Sequence, residues 1–191
     1  MDSPAVLDSF RAAGALLEGH FRLSSGLHST GYLQCALVLQ HPEHAAALGA
    51  ALAARARAAG ASPTAVLSPA LGGVIIGHEV ARALGVRALF AERQDGALTL
   101  RRGFALTPDD RVVVVEDVVT TGKSTRETME VARAAGAAVV GVAAIIDRGG
   151  ALDLGVPART LATVSLPAYD PASCPLCAQG LPLVKPGSRP A

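Results

Sequence analysis

A chain of 191 residues is the size of one ordinary domain, and with half of them hydrophobic it can fill one core. Aromatic residues make up only 3% and Trp is absent, so Ala, Val and Leu must build that core. A formal net charge of +1 gives no global basic field for nucleic acid, and three cysteines, an odd number, do not make a secreted disulfide framework.

Residues 1–21 carry acids early and no basic stretch ahead of their apolar residues, unlike a signal peptide. No apolar run approaches the roughly 20 residues that span a bilayer. A cytoplasmic chain without a membrane partner is expected. Ser3-Pro4 reads as a helix N-cap followed by the first helical position, with the helix running to about Glu18, ahead of Gly19. Residues 21–40 alternate short apolar and polar stretches around Ser25-Gly26, which predicts short strands or a hairpin. Pro42 opens an Ala-rich helix that ends near Gly60.

Strand and helix then alternate. A strand is predicted at 65–67, a helix at 73–84 stopped by Gly85, and a strand at 86–92. Residues 97–101, after Asp95-Gly96, read as the return arm of a hairpin or as a mobile loop. Arg111 begins a VVVV run apolar on both faces, as a central parallel strand requires. A helix follows from about Gly122 to Ala135, with Thr128, Met129, Ala132 and Ala135 at helical spacing. Strands at 139–146 and 160–166 complete the pattern, and the Pro-rich stretch from Pro167 reads as an irregular tail. This is an α/β fold of a central, mostly parallel sheet flanked by helices. It forms one domain, with a small N-terminal subdomain over about 1–60, a core over about 61–166 and a tail over 167–191.

The chemistry concentrates in residues 112–125, VVVVEDVVTTGKST. A buried strand ends in Glu116 and Asp117, then Val118 and Val119, then Thr120-Thr121-Gly122-Lys123-Ser124 at a helix start. Open α/β sheets bind ligands at the carboxyl ends of their strands. A Gly/Thr/Ser turn at a helix N-terminus offers amides, hydroxyls and a positive dipole end to a phosphate. Two carboxylates beside it can accept hydrogen bonds from vicinal hydroxyls, so the segment describes a ribose 5-phosphate site. A Walker A loop would need Gly where Asp117 stands, and residues 72–77 have the wrong spacing for a dinucleotide fingerprint. Two acids at an apolar strand end are costly to keep without a ligand.

This segment resembles the phosphoribosyl pyrophosphate (PRPP) motif of the type I phosphoribosyltransferases. The resemblance implies that Glu116 and Asp117 contact the ribose hydroxyls and that 118–124 hold the 5-phosphate. Three further stretches resemble the orotate phosphoribosyltransferases within that family. They are residues 19–29 with Phe21, Leu23 and Ser25-Gly26, the loop Pro69-Ala70-Leu71-Gly72-Gly73, and Asp147-Arg148 after the motif helix. The resemblance covers about residues 10–150 and implies the fold, with residues 1–60 as a hood over the core. It further implies transfer of the 5-phosphoribosyl group from PRPP to orotate, a step of pyrimidine biosynthesis, with Mg²⁺ travelling on PRPP and no dedicated protein metal site. A homodimer is implied as well. By the same resemblance Arg148 takes the orotate carboxylate and Thr120 touches the base. A guanidinium does meet a carboxylate with two parallel hydrogen bonds.

The sequence departs from the family at its cations. A lysine of the N-terminal segment is Ser24 here, and that of the loop after residue 70 is Gly72. The mobile loop, residues 93–102, has neither the family's lysine nor its histidine. Arg93 aligns best with a basic loop position and is the expected catalytic partner of Glu116 and Asp117, with Arg101 and Arg102 as possible substitutes. Cys174-Pro175-Leu176-Cys177 has the spacing of half a zinc site, but the sequence holds no second pair; two subunits could supply one pair each, and a plain tail or a labile disulfide is the expected reading. Among five histidines, His28 is the one read as a substrate-side donor. Two other functions stay open at this point: an enzyme of the same family for another base, and a non-catalytic PRPP sensor.

Overall fold

The computed structural model describes residues 1–23, 25–60, 62–149 and 153–186, so Ser24 and the tail beyond Pro186 lie outside it. The first helix, α1 (Ser3–Ala12), is shorter than predicted, and its N-cap is Asp2, whose carboxylate accepts from the Ala5 amide at 3.0 Å. Gly14, at φ +62, ends the helix in the left-handed conformation that a side chain would resist. Glu18 therefore lies not on a helix but on β1 (Leu16–Arg22), which pairs antiparallel with β2 (His28–Leu33). Next come α2 (Cys35–Leu39) and α3 (Pro42–Ala58).

The core alternates as expected: β3 (Ala65–Pro69), α4 (Gly72–Leu84), β4 (Arg87–Gln94), β5 (Ala97–Leu100), β6 (Arg111–Val119), α5 (Lys123–Ala134), β7 (Ala138–Asp147) and β8 (Ala158–Thr163). The sheet order is β5-β4-β3-β6-β7-β8, parallel throughout except for the β4–β5 hairpin. Asp95 and Gly96 both take positive φ, the two-residue turn that matches the strands' twist. From β3 the chain moves outward through α4 to β4 and then returns to place β6 on the other side of β3. That reversal opens a crevice above the ends of β3 and β6.

One face of the sheet is covered by α1, α2, α3 and α4, the other by α5. Val112–Val115 are at most 1% exposed, which explains the unbroken valine run. Small side chains let the layers approach closely. At Gly49 of α3 a Cβ would sit 2.6 Å from Glu79 Cβ of α4, so only glycine fits that crossing. The segment before residue 60 thus divides: α1 packs on β8 and α3 on β7, β8 and α4, while only the β1–β2 ribbon stands apart.

The described part of the tail, through Pro186, is structured rather than irregular. It contributes β9 (Ala168–Tyr169), which pairs with β2, then a 3-10 turn (Pro171–Ser173) and α6 (Pro175–Ala178). Ser29 Oγ donates to Pro167 O at 2.9 Å, and Val184 forms a parallel bridge with Phe21. The hood is therefore a three-stranded sheet, β1-β2-β9, built from both ends of the chain. Among the described residues no helix is long and apolar enough to cross a membrane.

Candidate active site

The ends of β3 and β6 meet a cleft of about 1110 Å³ between core and hood. From the hood come Arg22, Tyr32 and Gln34; from the core Gly72, Phe90, Glu92, Arg102 and Asp117; and from the tail Lys185 and Pro186.

Glu116 and Asp117 lie at the end of β6, where successive side chains point to opposite faces. The structure separates their tasks accordingly. Glu116 is 4% exposed and turns under α5, accepting from Ser124 Oγ at 2.6 Å and Thr125 Oγ1 at 3.4 Å. Burial, reinforced by the charge of Asp117, raises its pKa to about 7, against the pull of the two hydroxyls. Asp117 faces the cleft and accepts from the Val118 amide at 2.9 Å. Burial raises its pKa too. Across from it, burial and the Asp117 charge raise the pKa of Tyr32 and hold the Cys35 thiol protonated.

The loop after β6 has the form of an anion cradle. Thr120, Thr121 and Lys123 are exposed, and the N-cap of α5 is Gly122, in the left-handed conformation at φ +73; Thr121 Oγ1 accepts from the Lys123 amide at 3.4 Å, and Gly122 itself brings no side chain to the amides that follow. Those N–H groups and the positive end of the helix dipole remain available to a phosphate. Val118 and Val119 serve the frame: they pair with β7, and Val119 O accepts from the Arg148 amide at 2.9 Å. Arg148 thus stands beside the motif loop, outside the walls of the cleft. Its Nε is buried without a hydrogen-bond partner among the described residues, and burial lowers its pKa. A buried N–H aimed at nothing costs stability unless a ligand takes it.

Two expectations change. Arg93 does not line the cleft of its own chain; its guanidinium bonds Glu127 of α5 and Gly96 O of its own hairpin. Among the described residues, the cations that reach the cleft are Arg22, Arg102 and Lys185. Arg102 is held bidentately by Glu92 at 2.7 Å and lies 5.9 Å above the Phe90 ring. His28, read as a substrate-side donor, is instead 5% exposed and clusters with His20, Cys174 and Cys177. Sequence reasoning also missed Tyr32, Gln34 and Cys35, which carry no local motif and reach the site only through the hood's docking.

Gly72 has a strict steric reason. A Cβ there would lie 2.7 Å from Asp117 Oδ2 and 2.8 Å from Oδ1, so any side chain would displace the carboxylate. Gly72 is also the first residue of α4 and abuts the end of β6, closing the crevice floor.

Comparison with known proteins agrees with this geometry. Residues 36–154 match the phosphoribosyl transferase domain family. The orotate phosphoribosyltransferase of Pelotomaculum thermopropionicum is 54% identical over 190 residues, covering 99% of both chains. That of Carboxydothermus hydrogenoformans is 56% identical over 176 residues, 92% of each. Among solved structures, the orotate phosphoribosyltransferase of Aeropyrum pernix superposes with a TM-score of 0.66 at 29% identity, covering 83% of this chain and 93% of that one. With relatives this similar along nearly the whole length, an anion cradle after β6 and an acid at the crevice, the chain belongs to the type I phosphoribosyltransferase family, among its orotate phosphoribosyltransferases.

Proposed function

We propose that this protein transfers the 5-phosphoribosyl group from PRPP to orotate, releasing orotidine 5′-monophosphate and pyrophosphate in pyrimidine biosynthesis. The observation that carries the choice of base is Arg148, whose buried Nε has no hydrogen-bond partner among the described residues and sits one strand from the phosphate loop. Orotate brings a carboxylate that purine bases lack, and a guanidinium is its complement.

In this reading the 5-phosphate rests on the amides and hydroxyls of 120–124, and Asp117 accepts from the ribose hydroxyls. The orotate nitrogen attacks the anomeric carbon as pyrophosphate leaves, and positive charge builds on the ribose ring. Asp117, fixed by the Val118 amide, lies where a negative charge stabilises that state. Glu116 acts from beneath by holding Ser124 and the start of α5 in place. Arg22, Arg102 and Lys185 line the side of the cleft that the pyrophosphate would occupy. The carboxylates of Asp117 and Glu92 are hard oxygen donors that suit Mg²⁺, but Arg102 already holds Glu92. Asp117 is thus the protein ligand nearest to an ion bound chiefly by PRPP oxygens; such an ion would neutralise charge on the leaving pyrophosphate. We place the enzyme in the cytoplasm as a homodimer, as its family resemblance implies.

Arg148→Ala tests the assignment. An unpaired buried carboxylate costs about 3–5 kcal/mol, so calorimetric titration should show orotate binding weakened to that extent while PRPP affinity changes little. Arg148→Lys should recover only part of the loss, since an ammonium cannot form the planar fork. Unchanged orotate binding would remove Arg148 from the base site and favour an enzyme for another base.

A further inference from the structure

The two histidines of the hood ribbon and the two cysteines of the tail converge on one point. His20 lies where the β1–β2 register slips between Glu18 and Phe21, and His28 begins β2. Cys174 and Cys177 bracket the start of α6. Their four ligand atoms all lie within 4.8 Å of one another. His20 Nε2 is 3.0 Å from His28 Nδ1, 3.6 Å from Cys174 Sγ and 3.7 Å from Cys177 Sγ, and Cys177 Sγ is 3.3 Å from His28 Nδ1.

Hydrogen bonding among these groups cannot account for the arrangement. His20 Nδ1 lies 2.9 Å from Leu181 O, which can only accept, so the ring proton sits on Nδ1 and Nε2 keeps a single lone pair. Three groups crowd that one acceptor. A tetrahedral zinc ion, with Zn–N of about 2.0–2.1 Å and Zn–S of about 2.3 Å, sets N to N near ~3.3 Å, N to S near ~3.6 Å and S to S near ~3.8 Å. Four of the six spacings fall around those edges, and the other two lie within 4.8 Å. The Leu181 carbonyl on the far nitrogen of His20 is the outer partner that metal-bound histidines ordinarily have. Cys174, His20 and His28 are 3%, 4% and 5% exposed and Cys177 is exposed, so the four protein groups complete a tetrahedron that meets solvent only on its Cys177 side.

We propose that the protein binds one zinc ion through His20 Nε2, His28 Nδ1, Cys174 Sγ and Cys177 Sγ, as a closed structural site joining the tail to the hood. Binding releases the two thiol protons to solvent, and both imidazoles bind neutral, so the site carries no net charge. Its position explains why a metal is needed there. Leu181, Leu183 and Val184 remain 43%, 44% and 49% exposed, so apolar burial holds the tail only weakly. Backbone bonds add to it: Val184 N donates to His20 O at 2.9 Å, and Arg22 N donates to Val184 O at 2.8 Å. The next residues, Lys185 and Pro186, line the cleft. A metal clasp fixes the stretch that carries them, and it stands apart from any Mg²⁺ that PRPP brings.

Elemental analysis of the full chain, purified under reductant from zinc-replete cells, should find one zinc per chain. Cobalt(II) reconstitution should give the ligand-field bands of a tetrahedral site with thiolate charge transfer. His28→Ala and Cys177→Ser should each lose the metal, and removing zinc with a chelator should speed chymotryptic cutting within residues 169–183. Wild-type protein without zinc and without a tetrahedral cobalt spectrum would overturn the proposal, whether its thiols are free or joined as a Cys174–Cys177 disulfide. So would zinc retained in a His20→Ala/His28→Ala double variant, which would place the cysteines in a site between chains. Cutting that zinc removal leaves unchanged would overturn the fastening role. The wild-type measurements decide the question even if a variant fails to fold.

Discussion

Replacing Glu116 by Gln should make the protein more stable and less active. Glu116 is 4% exposed, and burial lifts its pKa from 4.5 to about 7. At about 1.4 kcal/mol per pH unit, ionising it in the folded state costs about 3 kcal/mol relative to the unfolded chain. The sign follows from the upward shift of an acid. Below pH 4.5 the group is protonated in both states and costs nothing; the penalty grows from 4.5 to about 7 and is complete above that. Gln removes the charge but exchanges the 2.6 Å bond from Ser124 Oγ for a neutral one, which gives back about 1 kcal/mol. A net gain of about 2 kcal/mol should raise Tm by about 4–8 °C at pH 8 and by little at pH 5. Thermal unfolding followed by circular dichroism at both pH values checks this, with kcat/KM measured on the same samples. Equal midpoints at pH 8, or a gap of the same size at both pH values, would refute the idea that a buried charge is held under the phosphate loop.

Asp117→Asn keeps the shape of the cleft wall but removes the charge facing the ribose, so kcat/KM should fall by about 2–4 kcal/mol in barrier terms while Tm does not fall. Near-wild-type turnover would take Asp117 out of the mechanism. Arg93→Ala loses a half-exposed pair with Glu127, worth less than about 1 kcal/mol of stability, so a clear loss of turnover would mean that Arg93 acts elsewhere than in its own chain. Mixing it with Asp117→Asn subunits checks this: recovered activity shows a site shared between subunits, and no recovery despite proven exchange shows none.

What the sequence showed and what it hid separate along one line. Residues 112–125 were legible because the strand, the acids, the phosphate loop and the helix start are contiguous, and each has a local physical signature. The alternation from 65 to 147 was legible for the same reason. The helix predicted through Glu18 failed because Gly14 ends α1 in the left-handed conformation, a stop signal that the following apolar residues outweighed. The tail read as irregular because its two-residue strand and single-turn helix have no periodicity and gain their order from β1 and β2. The zinc ligands stayed hidden because their second pair is spaced by a hairpin register, with Arg22 opposite His28, and not by a motif.

The same distance hid the cations. Where the family resemblance leads one to expect a lysine this chain has Gly72, and a Cβ there would lie 2.7 Å from Asp117 Oδ2, so a side chain would require that carboxylate to shift. A polyanionic leaving group still needs positive charge, and it must come from residues that fold in from elsewhere. Arg102 is already balanced by Glu92, and Arg22 from β1 and Lys185 from the tail are further cations that line the cleft among the described residues. Lys185→Ala and Arg22→Ala should each weaken PRPP by roughly tenfold, about 1.4 kcal/mol, with the loss shrinking as salt is raised. Orotate affinity, which we propose rests on Arg148, should stay nearly constant. Titration of PRPP at low and high salt reads the effect directly. PRPP binding that is unchanged in both variants would mean that the tail only closes the hood and that the pyrophosphate finds its countercharge in the bound cation alone.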